Sequence, residues 1–124
     1  GFTKNPGKVI LGGPMMGLAT HTVEIPSTKT TSGILVFNEE EATLAEPSAC
    51  IKCGKCVDIC PAFLQPISIS AHSLKGNFEM AEKYGALDCI ECGSCSFTCP
   101  AKRKLLHAIR VAKREIISAK RKSQ

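Results

Sequence analysis

CIKCGKCVDICP, residues 50–61, and CIECGSCSFTCP, residues 89–100, are one pattern written twice, and together they hold all eight cysteines of the chain. Each copy reads C-x2-C-x2-C-x3-C-P. Disulfides fit this badly, because neighbouring Cys-x-x-Cys pairs are poor partners in a scaffold and the N-terminal GFTKNPGKV lacks the apolar block of a secretory signal. Zinc needs four ligands, which two Cys-x-x-Cys pairs supply, so the remaining cysteines of each run would be surplus. Two runs of this spacing match instead the pattern of bacterial two-cluster ferredoxins. A ligand at every third residue lets a loop wrap one side of an iron–sulfur cube. The glycine after each second cysteine, Gly54 or Gly93, accepts backbone angles that other residues resist and lets the chain pass close to an inorganic core. The fourth cysteine, set off by three residues and followed by proline, ligates the other cluster in this pattern. By that crossing rule Cys50, Cys53, Cys56 and Cys99 hold one cluster, and Cys89, Cys92, Cys95 and Cys60 hold the second.

Outward from the loops, helical signals dominate. Residues 65–76 place Pro66 at a first helical position and space Ile67, Ala71 and Leu74 along one face before Gly76. Residues 77–85 open on Asn77, a capping residue, set Phe78 and Ala81 on one side and stop at Gly85. Behind Pro100, Leu105, Ile109, Ala112 and Ile116 recur at the spacing of an amphipathic helix of roughly five turns. The first 48 residues differ. KVILGG, THTVEIP and SGILVF read as short strands, and NEEEATLAEP as a helix start or charged connector. GGPMMG, residues 12–17, has the wrong glycine spacing for a dinucleotide fingerprint; a tight turn with two packing methionines explains it, and a loop facing a cofactor or partner is the sharper reading. The fold expected is mainly α, with a small β-rich segment at 1–48, a double-cluster module at 49–101 and a basic amphipathic helix at 102–124.

The chain of 124 residues is 44% apolar, enough for one small core or a small domain with an appendage. No stretch approaches the roughly 20 apolar residues of a membrane-spanning helix, so a soluble or peripheral protein is expected. The opening glycine and the short lead-in suggest a processed product or an excised fragment. The net charge of +5 is concentrated at one end: residues 100–124 carry nine Lys or Arg against the single Glu115. Such a run solvates a helix face or meets an anionic surface, either lipid headgroups or an acidic partner protein. Nucleic acid is not an expected partner, since basic residues alone give only nonspecific attraction and aromatic content is 5%. His21, His72 and His107 lie outside both loops, and no nucleophile–base arrangement or phosphate loop stands out. No catalytic residue is expected in this chain.

VILGGPMMG, IPSTKTTSGILVF, ACIKCGKCVDICP and DCIECGSCSFTCP, in that order and followed by a basic helix, resemble the C-terminal part of RnfC. That family is the C subunit of the Rnf complex, a membrane-bound, ion-translocating ferredoxin:NAD oxidoreductase. The resemblance implies an α-helical ferredoxin module with two [4Fe–4S] clusters on the eight cysteines. It also implies a peripheral place on the cytoplasmic side of the membrane, other Rnf subunits and ferredoxin as partners, and FMN and NAD binding only in a region upstream of these residues. Soluble cobalamin or proline reductases that use the same double motif are the nearest rival hosts, and a cluster-stabilised nucleic-acid module is a remote one. Lys52 and Lys55 on the first loop, against Asp88 and Glu91 at the second, lead us to expect the higher potential at the first cluster, because positive charge favours the more negative reduced form.

Overall fold

A computed structural model describes residues 2–122; Gly1 and the last two residues of the basic tail lie outside them. The chain divides into two compact units, Gly1–Ala45 and Glu46–Gln124.

In the first unit, β1 (Pro6–Leu11) is the centre of a three-stranded antiparallel sheet, with β2 (Leu18–Thr20) on one side and β3 (Ile34–Asn38) on the other. Val9 is opposite Thr20 across one ladder and Val36 across the other. Two of the expected strands are found, but THTVEIP is not one of them: the second strand is Leu18–Thr20, and Val23 and Ile25 lie exposed in loop. β1 pairs only with Leu18–Thr20 on that side, so the β-branched run beyond has no ladder to join. Residues 39–42 form turns and 43–50 are irregular, which makes NEEEATLAEP a connector. GGPMMG is a tight turn, closed by the Gly17 N–H on the Gly13 carbonyl at 2.8 Å. A side chain at Gly17 would collide with Ile10, the buried residue of β1, and would meet the Gly13 oxygen at 2.6 Å. The glycine is therefore required by close approach, and Met15 and Met16, both largely exposed, do not pack as expected.

The second unit is helical: α1 (Lys55–Asp58), α2 (Pro66–Leu74), α3 (Phe78–Lys83), a 3-10 turn (Ala86–Asp88), α4 (Ser94–Thr98) and α5 (Leu105–Lys122). Asn77 caps α3 by accepting the Met80 N–H at 3.1 Å. α5 buries the expected stripe of Leu105, Ile109, Ala112 and Ile116, and adds Leu106 and Ala108. Ile109, Ala112 and Ile116 close over Ile69, Ala81 and Ala86, with Leu64, Phe78 and Leu87 packed around them. The face of α2 departs from expectation. Pro66, Ile69, Ser70 and Ser73 are buried, whereas Ala71 and Leu74 are exposed. Small serines let α5 come close, and Ser73 Oγ offsets its burial by donating to the Ala108 carbonyl at 2.6 Å. Apolar spacing alone pointed at the wrong face because the contact is made by small polar residues.

The two cysteine runs fold alike. Lys52 and Glu91, Gly54 and Gly93, and Phe63 and Lys102 occupy corresponding places in the two halves and share left-handed backbone angles: φ is 56° and 58°, 78° and 81°, then 53° and 52°. α1 and α4 start just after the glycines, and α2 and α5 start at corresponding residues, Pro66 and Leu105. The sequence repeat is thus a repeat of loop, short helix, turn and longer helix.

Candidate metal centre

No disulfide joins any of the eight cysteines. Within each run the left-handed turn at Lys52 or Glu91 folds the backbone onto the first sulfur: the Lys52 N–H points at Cys50 Sγ and the Glu91 N–H at Cys89 Sγ, each at 3.4 Å. A third amide, Leu64 N–H, reaches Cys60 Sγ at 3.4 Å. Hydrogen bonds to ligating sulfurs of this kind are among the features that set an iron–sulfur cluster's potential.

Two cavities take up these sulfurs. One, of about 190 Å³, is lined by Cys50, Cys53, Cys56 and Cys99, together with Ile67, Arg103 and Leu105. The other, of about 20 Å³, is lined by Cys60, Cys89, Cys92 and Cys95, together with Leu64, Ile69, Leu106 and Ile109. Each cavity thus draws three cysteines from one run and one from the other. Among the described residues, no three His, Cys, Asp or Glu side chains converge as ligands of a single metal ion. Soft sulfur donors with apolar walls around them are the donor set that iron–sulfur clusters use.

The surroundings of the two cavities are unequal. Residues 50–55 are all exposed, whereas Gly93 and Cys95 are buried and Glu91 and Cys92 are half-buried. Burial pushes the Cys56 thiol up, against a hydrogen bond from the Ile67 amide. It pushes Cys89 up as well, against the Glu91 amide, and Cys95 up to about 11. Hydrogen bonding to Ser94 holds Cys92 below the usual thiol range. Deprotonating a buried thiol is costly, and the positive charge of an iron held by these sulfurs would compensate it.

α5 accounts for much of this difference. Arg110 Nε and Lys113 Nζ each lie 2.9 Å from a Glu91 carboxylate oxygen, and Lys113 Nζ also donates to the Cys89 carbonyl at 2.8 Å. Burial would raise the Glu91 carboxyl, but these two cations hold it below the usual carboxylate range. Sequence alone groups Arg110 and Lys113 with the solvating or docking cations of the tail, and these two instead brace the second loop. Their clamp engages Glu91, one of the two acidic residues expected to stand against Lys52 and Lys55, and does not include the other, Asp88. Ala71 and Leu74 hold the corresponding places on α2, so the first loop has no such brace. Lining up the two runs would have revealed this asymmetry. His72 stacks on Tyr84 with ring centroids 5.3 Å apart, and none of the three histidines lines either cysteine cavity.

Residues 49–103 match the model of the 4Fe-4S dicluster domain. Over 98% of its length the chain is 57% identical to the C subunit of the Na(+)-translocating ferredoxin:NAD(+) oxidoreductase complex of Acetobacterium woodii, covering 28% of that protein. It is 48% identical over 97% of its length to the C subunit of the ion-translocating oxidoreductase complex of Methanosarcina acetivorans, covering 27%. The C subunit of the proton-translocating ferredoxin:NAD(+) oxidoreductase complex of Clostridium ljungdahlii is also 48% identical, over 93% of the chain and 25% of its own length. The chain therefore spans about a quarter of the length of these curated relatives. Along nearly all of its own length it is similar to the C subunits of ion-translocating oxidoreductase complexes.

Proposed function

We propose that this chain is the electron-carrying part of an RnfC protein and holds two [4Fe–4S] clusters, one on Cys50, Cys53, Cys56 and Cys99 and the other on Cys89, Cys92, Cys95 and Cys60. One observation carries the reading: each cavity gathers four cysteines, three from one run and the fourth from the other. A cluster so held takes up and releases one electron at a time. The protein's part is to hold the sulfurs and to exclude water from the second site through Leu106 and Ile109, the latter a member of the helical core. In this reading residues 49–101 supply the ligands and the basic helix behind them braces the second site.

The host complex, in the same proposal, is an ion-translocating ferredoxin:NAD oxidoreductase whose other subunits exchange electrons with this module, with ferredoxin at one end of the route. No helix is long and apolar enough to cross a membrane among the described residues, and the place proposed for the chain is peripheral, on the cytoplasmic side and held through its partners. FMN and NAD belong, in this proposal, to regions of the family outside these residues.

An anaerobic iron and sulfide assay with EPR tests the cluster content. About eight irons per chain are expected; stoichiometric zinc without iron overturns the reading.

A further inference from the structure

The first cavity contains a hydrogen-bond donor that none of the described residues satisfies. Arg103 lines it beside Cys50, Cys53, Cys56 and Cys99. Its Nη1 donates to the Ser48 carbonyl at 3.3 Å. Its Nε is sealed from solvent and, among the described residues, is the one buried side-chain nitrogen or oxygen without a partner. A buried guanidinium N–H left unmade is costly, and native proteins seldom tolerate one. The corresponding residue of the first half is Leu64, which lines the second cavity. One backbone position, used twice, therefore sets a cation with a spare donor beside one site and an apolar side chain beside the other.

We infer that Arg103 is a tuning residue of the first site: its Nε donates to a sulfur of the cluster held there, raising that cluster's potential above that of the second. The inference rests on the cluster assignment proposed above. Reduction adds one negative charge to the cluster, and a positive donor fixed against its sulfur stabilises that charge more than the oxidised form. The second loop has cations of its own, but Arg110 Nε and Lys113 Nζ are engaged by Glu91 and Lys113 also by the Cys89 carbonyl, so what distinguishes the first site is a buried cationic donor still without a partner, Arg103 Nε. Lys52 and Lys55 are exposed and form no ion pair among the described residues, so water screens them.

The test is an EPR-monitored redox titration of the full-length protein with its clusters reconstituted, the first-site signal being identified by its loss in Cys99→Ser. Arg103→Leu copies the residue found at the second site. It is expected to keep about eight irons and to lower the first-site midpoint so that the reduced-to-oxidised ratio at the wild-type midpoint falls about tenfold, ~59 mV for one electron, with the second-site midpoint unmoved. Arg103→Lys keeps the charge and loses the Nε donor, so part of the drop should remain. A purely structural role would alter iron content and leave the potential alone. Full iron with an unchanged first-site midpoint in Arg103→Leu overturns the inference. If Arg103→Leu fails to hold iron, Arg103→Lys decides, with a lowered midpoint supporting the tuning role and an unchanged one ending it. Wild-type protein with well under eight irons would instead sink the cluster assignment itself.

Discussion

The first half of the repeat, loop 50–60 with α2, and the second, loop 89–99 with α5, follow the same backbone path to within a few degrees at three left-handed positions, yet they live in different surroundings. Loop 50–55 is open to solvent, and Phe63, at the turn that follows, is 94% exposed. The second loop is roofed by a helix twice as long, 18 residues against nine, and clamped by Arg110 and Lys113. Cysteine spacing fixes the path, and the side chains arriving from elsewhere fix the environment. Two cysteine runs of the same spacing can thus be given different exposure and different electrostatics without altering a single cysteine.

Exchanging a crossing cysteine tests whether the halves are interlocked, and it carries the largest effect. Cys99→Ser lies in the second run but should empty the first site, taking iron from about eight to about four per chain in the anaerobic assay while the second-site EPR signal survives. Loss of the second-site signal alone would break the comparison. Next comes the core between α2 and α5. Ile109→Ala truncates a side chain 1% exposed that packs with Ile69, so a loss of about 2–5 kcal/mol is expected, with both clusters bleached at lower denaturant. Bleaching of one cluster only would mean that the halves do not share their support.

Glu91→Ala separates them more finely. It leaves Arg110 and Lys113, each about a fifth exposed, without their carboxylate, and should cost about 1–3 kcal/mol. The second-site cluster should be lost faster in a chelator time course while the first keeps its rate; equal acceleration of both would remove the clamp from the comparison. The smallest effect belongs to Ser73→Ala. It deletes the hydrogen bond to the Ala108 carbonyl between α2 and α5 and should cost about 1 kcal/mol, read as a small drop in thermal midpoint with both midpoint potentials unchanged.

Much of the second unit could be read from residue order alone. Pro66 and Asn77 mark helix starts, and Leu105, Ile109, Ala112 and Ile116 mark the buried stripe, because start signals and 3.6-residue periodicity are local properties of the chain. The buried face of α2 was not legible in the same way. Its partner is chosen by side-chain size across 35 residues, where Ser73 meets Ala108. The strands were harder still: THTVEIP has strand composition, but the sheet takes Leu18–Thr20, since pairing is decided by where a partner's free edge lies. At the site, the eight sulfurs are announced by their spacing. Arg103, Arg110 and Lys113 are hidden in a basic run that looks uniform until the fold sends one cation toward a cavity and two toward Glu91.

Each cavity borrows its last cysteine from the other run, and that imposes an order on biosynthesis. A chain leaving the ribosome cannot close the earlier pocket until residue 99 has emerged, so a half-made protein offers no complete set of four sulfurs there. On the ligand sets proposed here, both four-sulfur sites become complete only after translation has passed the second run, and a product cut short between the runs would have neither.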